Sequence, residues 1–140
     1  MSAQRDHFQT LVCKLVESIK DWVEPVDWVT RTYPKKMRDN GREVFEIPAL
    51  YLQKGPTRVL LDPIAFDVPG SDAVVDLYLM PTYDDVATLY FKNGKWVIHY
   101  DFPKSQGSAH QDPEASFLPL SEESIYQVLN AIEEHAIPSF

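Results

Sequence analysis

The sequence predicts an α+β fold: an antiparallel β meander of about five strands, with an N-terminal and a C-terminal helix packed on one of its faces. Three observations carry this expectation. Residues 4–23 are apolar at helical spacing, residues 44–102 alternate in the β manner with breaks only at Pro, Gly and Asn-Gly, and a second helical period follows Ser121.

In the first helix Phe8, Leu11, Val12, Leu15, Val16, Ile19, Trp22 and Val23 form the inward stripe, and Pro25 ends it. Residues 26–32 read as a short helical turn carrying Trp28, and Tyr33-Pro34-Lys35-Lys36 as a loop. Strands are expected at 44–53, 57–66, 73–80, 86–92 and 95–102. Pro48 and Pro63 cannot donate to a ladder, so each marks a bulge, an edge or a strand end. Asn93-Gly94 is the dipeptide of a type I′ turn, in which both central residues need positive φ. That turn pairs Lys92 with Lys95, Phe91 with Trp96, Tyr90 with Val97, Leu89 with Ile98 and Thr88 with His99. Residues 103–119 read as a polar surface loop. Ser121, with Glu123 and Ser124 behind it, starts the last helix, whose stripe is Ile125, Val128, Leu129 and Ile132 before Pro138 stops it.

With 140 residues, 44% of them hydrophobic, the chain suits one globular domain spanning 1–140. Seven Tyr, seven Phe and three Trp supply the burial that disordered chains lack. A net charge of −8 disfavours nucleic acid and anionic membranes as partners. Basic residues concentrate at Arg31, Lys35, Lys36, Arg38 and Arg42, which reads as a solvated loop balancing the acidic C-terminal helix. The lone Cys13 sits in the helical stretch and reads as packing. It has no disulfide partner, and the N-terminus lacks the apolar core of a secretory signal; the expected location is cytoplasmic.

Alternation sorts the sheet into two faces. Ala87, Leu89, Phe91, Trp96, Ile98 and Tyr100 make the core face, and Val75, Leu77 and Leu79 join it. The other face collects Asp76, Tyr78, Thr88, Tyr90, His99 and Asp101, where a carboxylate, an imidazole and phenols suit a polar small molecule. His99 is also a candidate haem ligand, since haem needs one such axial residue. His7, His110 and His135 are too scattered for a zinc site. The expectation is therefore a small-ligand-binding protein without catalysis of its own, with haem among the cofactors to test. Two helices cover only one face, so a homodimer that buries the other is expected as well, and a purely structural self-association module is an alternative.

An enzymatic alternative rests on Leu61-Asp62-Pro63 followed by Val75-Asp76-Leu77-Tyr78. These residues resemble the PD-(D/E)-x-K pattern of nucleases, and the resemblance implies Mg²⁺ held by Asp62 and Asp76. It departs from the pattern where Pro follows Asp and where Tyr78 stands at the Lys position, which implies an inactive core.

Overall fold

The computed structural model describes residues 3–39, 43–100 and 117–136. A helix α1 (Ala3–Val23) and a 3-10 turn (Glu24–Val26) precede the strands β1 (Val29–Asp39), β2 (Glu43–Lys54), β3 (Thr57–Val68), β4 (Ser71–Leu79), β5 (Asp84–Lys92), β6 (Lys95–His99) and β7 (Phe117–Pro119). Helix α2 (Glu122–Ala136) follows them. All strands belong to one antiparallel sheet in chain order, β1 to β7, so the α+β meander stands but the described residues hold seven strands rather than five.

Both additional strands come from segments that look like loops. β1 carries Pro34 and four of the basic residues, Arg31, Lys35, Lys36 and Arg38, yet it pairs with β2 along its whole length, Val29 opposite Gln53 through to Asp39 opposite Glu43. Val29, Thr30, Thr32 and Tyr33 favour extended backbone, and an edge strand tolerates a proline and benefits from Lys and Arg that repel further pairing. Arg31, Lys35, Lys36 and Arg38 thus lie on a strand edge, Arg42 falls outside the described residues, and the helical turn expected at 26–32 is confined to Glu24–Val26. β7 is only three residues long and exists through its pairing with β6, Val97 opposite Pro119 to His99 opposite Phe117.

The Asn93-Gly94 turn has both residues at positive φ, 55° and 78°, and β5 pairs with β6 in the expected register from Lys92–Lys95 to Thr88–His99. Pro63 adjoins a register shift between Pro63 and Ala65. Pro48 faces Pro34 across β1–β2, past the end of the β2–β3 ladder, which runs only from Lys54–Thr57 to Leu50–Leu61. Beyond that point the β1–β2 hairpin leaves β3 and serves α1. Phe45 and Ile47 join the helix-side core there, the Gln9 amide donates to the Glu46 carbonyl at 2.9 Å, and the Arg5 guanidinium donates to Glu43 at 3.0 Å.

The core lies between the helices and one sheet face: Phe8, Val12, Val16, Ile19 and Val23 of α1 and Ile125, Val128, Leu129 and Ile132 of α2 meet Leu50, Leu61, Val75, Leu77, Leu89 and Ile98. Cys13 is exposed, one position off this stripe, so it does not pack as the sequence suggested. Trp96 is half-buried and meets Phe91 edge-on, with ring centroids 5.3 Å apart. α2 begins with a reciprocal cap. The Ser124 N–H donates to Ser121 Oγ at 3.1 Å and the Ser121 N–H donates to Ser124 Oγ at 2.9 Å, satisfying two amides that the helix end leaves over.

Candidate functional site

The sheet face away from the helices is built by strand register. Asp62, Asp76, Thr88, His99 and Phe117 face one another in succession across β3, β4, β5, β6 and β7. Directly opposed residues project from the same face, so these five side chains form one row across the sheet. A second row continues it toward the other edge, with Tyr78 opposite Leu60, Leu60 opposite Tyr51 and Tyr51 opposite Arg31. The structure therefore brings Asp76, Tyr78, Thr88, Tyr90 and His99 to one face; Asp101 lies outside the described residues.

Asp62 and Asp76 stand directly opposite each other, an arrangement that repels unless each carboxylate is compensated. Each has its own partners. Lys35 Nζ reaches over from β1 to Asp62 Oδ1 at 2.8 Å and donates to the Pro63 carbonyl at 2.6 Å. The Tyr78 hydroxyl donates to one oxygen of Asp76 and the Thr88 hydroxyl to the other, each at 2.9 Å. Lys35 was invisible to sequence reasoning because its segment reads as a loop; only the β1–β2 pairing, carrying the hairpin past Asp62, places it here. In the nuclease-like reading the two acids do face each other, but Tyr78 donates to Asp76, and the lysine comes from β1 and binds Asp62. Among the described residues no group of three or more His, Cys, Asp or Glu converges as a metal cage would.

Aromatic rings flank this polar centre. Toward β1, Tyr33 stacks on Tyr51 with centroids 5.2 Å apart, the Arg31 guanidinium lies 5.6 Å from the Tyr51 centroid, and Tyr83 packs on Tyr78 at 5.7 Å. Toward β7, Phe117 sits 4.6 Å from the His99 ring and 6.1 Å from Tyr90, with Lys92 Nζ above it at 4.7 Å. Phe117 thus packs against both Tyr90 and His99. Applying alternation to 44–53 would have found Tyr51; Tyr33 and Phe117 carried no such signal, because their strands were not legible.

Burial, reinforced by Tyr51 and by the Asp62 carboxylate, pushes the Tyr33 phenol above its ordinary pKa near 10. Above that pH the unfolded chain loses a proton that the folded chain retains. The stability Tyr33 contributes is therefore complete below about pH 10 and is lost as pH rises through the folded value. We expect a fall in melting temperature above pH 10 that is shallower in Tyr33→Phe; equal slopes in the two proteins would show that Tyr33 is not the group responsible.

On the same face, next to the stacked tyrosines, lies a cavity of about 480 Å³ lined by Val29, Arg31, Tyr51, Gln53, Arg58 and Met80. Among the described residues no helix is long and apolar enough to cross a membrane. Compared with protein-family models, curated proteins and solved structures, the chain finds no significant match.

Proposed function

We propose that this protein binds a small ligand on the polar, aromatic face of its sheet and performs no chemistry on it. The observation that supports this reading is the union, on one face, of a braced polar centre and a concavity. Asp62, Asp76, Tyr78 and Thr88 are held by one another and by Lys35, so the surface is preorganised, which lowers the ordering cost of binding. The cavity of about 480 Å³ falls in the size range of small-molecule sites, about 300–1,000 Å³. The carboxylates already committed to Lys35, Tyr78 and Thr88 favour this reading over a hydrolase built on Asp62 and Asp76.

A thermal-shift screen of metabolites and haemin tests it, because a ligand that binds only the folded state raises the apparent melting temperature. Two variants divide the face: Tyr51→Ala at the β1 end, and the pair Tyr90→Phe, His99→Ala at the β7 end. The latter should cost no more than about 1 kcal/mol, since its positions are only half-buried and among the described residues the His99 side chain makes a ring contact with Phe117. The expected result is a ligand shift abolished by one variant and kept by the other, with haemin binding, where present, lost in His99→Ala. A shift that survives both variants would overturn the proposal. So would light scattering at twice 16.1 kDa with no ligand effect, which would assign the face to a second copy of the chain.

A further inference from the structure

The cavity at the β1 end differs in charge from the rest of this acidic chain. It is lined by two arginines, Arg31 and Arg58, and by no acid, in a protein with 21 Asp and Glu against 13 Lys and Arg. Three cations of the fold have carboxylate partners: Arg5 with Glu43, Lys35 with Asp62 and Lys54 with Glu133. Arg31 and Arg58 have none among the described residues, and both are exposed.

Their placement follows from register. Arg31 faces Tyr51 and Arg58 faces Gln53, and Tyr51 and Gln53 are two apart on β2, so both arginines rise from the same face on either side of that strand. Two strand spacings separate them by about 10 Å across the sheet, with an offset of about 7 Å along it. Two long side chains approaching from β1 and β3 span that gap with an acidic group between them. The Arg31 guanidinium carbon lies over the Tyr51 ring, 5.6 Å from its centroid, and a guanidinium held against an aromatic face can still donate from its N–H edges to an acceptor. Apolar surface comes from the Tyr51 ring, Met80, and Val29, whose 72% exposure is the highest of any large hydrophobic residue among those described as exposed.

We propose that this cavity takes an organic anion, whose carboxylate or phosphate group is held between Arg31 and Arg58 while its apolar or planar body lies on Tyr51, Val29 and Met80. This rests on the ligand-binding reading above and gives that ligand its chemical class. A paired guanidinium clamp recognises the flat, two-oxygen edge that carboxylates and phosphates share. The neighbouring Val29 and Met80 surfaces distinguish such a ligand from inorganic phosphate, which has nothing to place there.

Amide chemical-shift titrations with phenylacetate, phenyl phosphate, inorganic phosphate and benzyl alcohol test this. Either or both aromatic anions should move the amides of Arg31, Tyr51, Gln53 and Arg58, and the tighter of them identifies the acidic group. Inorganic phosphate and benzyl alcohol should bind at least about tenfold more weakly, because each lacks one half of the contact. Arg31→Gln and Arg58→Gln should each weaken the anion about tenfold. Arg31→Lys, which keeps the charge but not the fork, should fall between; Lys14→Gln, exposed on α1 and away from this face, should change nothing. Melting temperatures close to wild type would confirm that these exposed substitutions leave the fold intact, and a variant that melts early is replaced by its Lys counterpart. Benzyl alcohol binding as tightly as the anions, or anion binding untouched by the Arg→Gln changes, would overturn the inference. Shifts confined to His99, Tyr90 and Phe117 would overturn it while leaving the ligand-binding reading in place; a screen in which no compound reaches either end would overturn both.

Discussion

Phe8→Ala is expected to lower unfolding free energy by about 3–5 kcal/mol, read as a fall in the urea midpoint with the native circular-dichroism signal kept at low denaturant. Phe8 is 0% exposed and stacks on Phe66 with centroids 5.0 Å apart, while meeting Phe45 edge-on at 6.5 Å. Those two rings come from β2 and β3 beyond the point where the ladder between these strands ends. The ring therefore closes a gap that backbone pairing leaves open, and its loss leaves a cavity that neither strand can fill by itself. Against a typical total of about 5–15 kcal/mol, such a loss brings the chain close to unfolding. Phe8→Leu should cost less, about 1–2 kcal/mol, because it refills part of the space. Equal midpoints for Phe8→Ala and wild type would show that α1 is not seated on this pair of strands.

The second large effect concerns Lys35 and Asp62. With side-chain exposures of 25% and 14% the pair is mostly removed from water, so taking away one partner leaves the other charge poorly solvated. Lys35→Met is expected to cost about 1–3 kcal/mol, below the full penalty of a buried pair because some solvent reaches both groups. It strips the donor from the Pro63 carbonyl as well. Adding Asp62→Leu should recover at least half of the loss, since an apolar pair of similar size carries no stranded charge. Urea unfolding of the two single variants and the double variant checks this. Losses that simply add would mean that Lys35 and Asp62 do not act as a unit.

Legibility varied with how local the deciding interaction is. The β5–β6 hairpin was readable to the residue because Asn93 and Gly94 tolerate the positive φ of a two-residue turn, and the turn pins every pair behind it. From that register Tyr90 and His99 were placed on the polar face, as were Asp76 and Tyr78 from the alternation of β4. β1 was not readable. Pro34 and Lys35-Lys36 look like a loop, and what makes them a strand is eleven residues of pairing with β2, which local propensity does not encode. The three residues of β7 are strand only because β6 lies beside them.

By itself, then, the sequence determined the two helices, their buried stripes, the five interior strands with the hairpin turn, and the existence of a second, polar sheet face, because each follows from period and turn chemistry within a few residues. Tertiary structure alone decided the edge strands and therefore the composition of that face. Lys35 reaches Asp62, Arg31 faces the same cavity as Arg58, and Phe117 covers His99 only after chain segments far apart in sequence have paired. The physical reason is that an edge strand draws its hydrogen bonds from a single neighbour. Its sequence is free to carry the prolines and charges that keep the edge from pairing further, and these are the same residues that conceal it from a local reading.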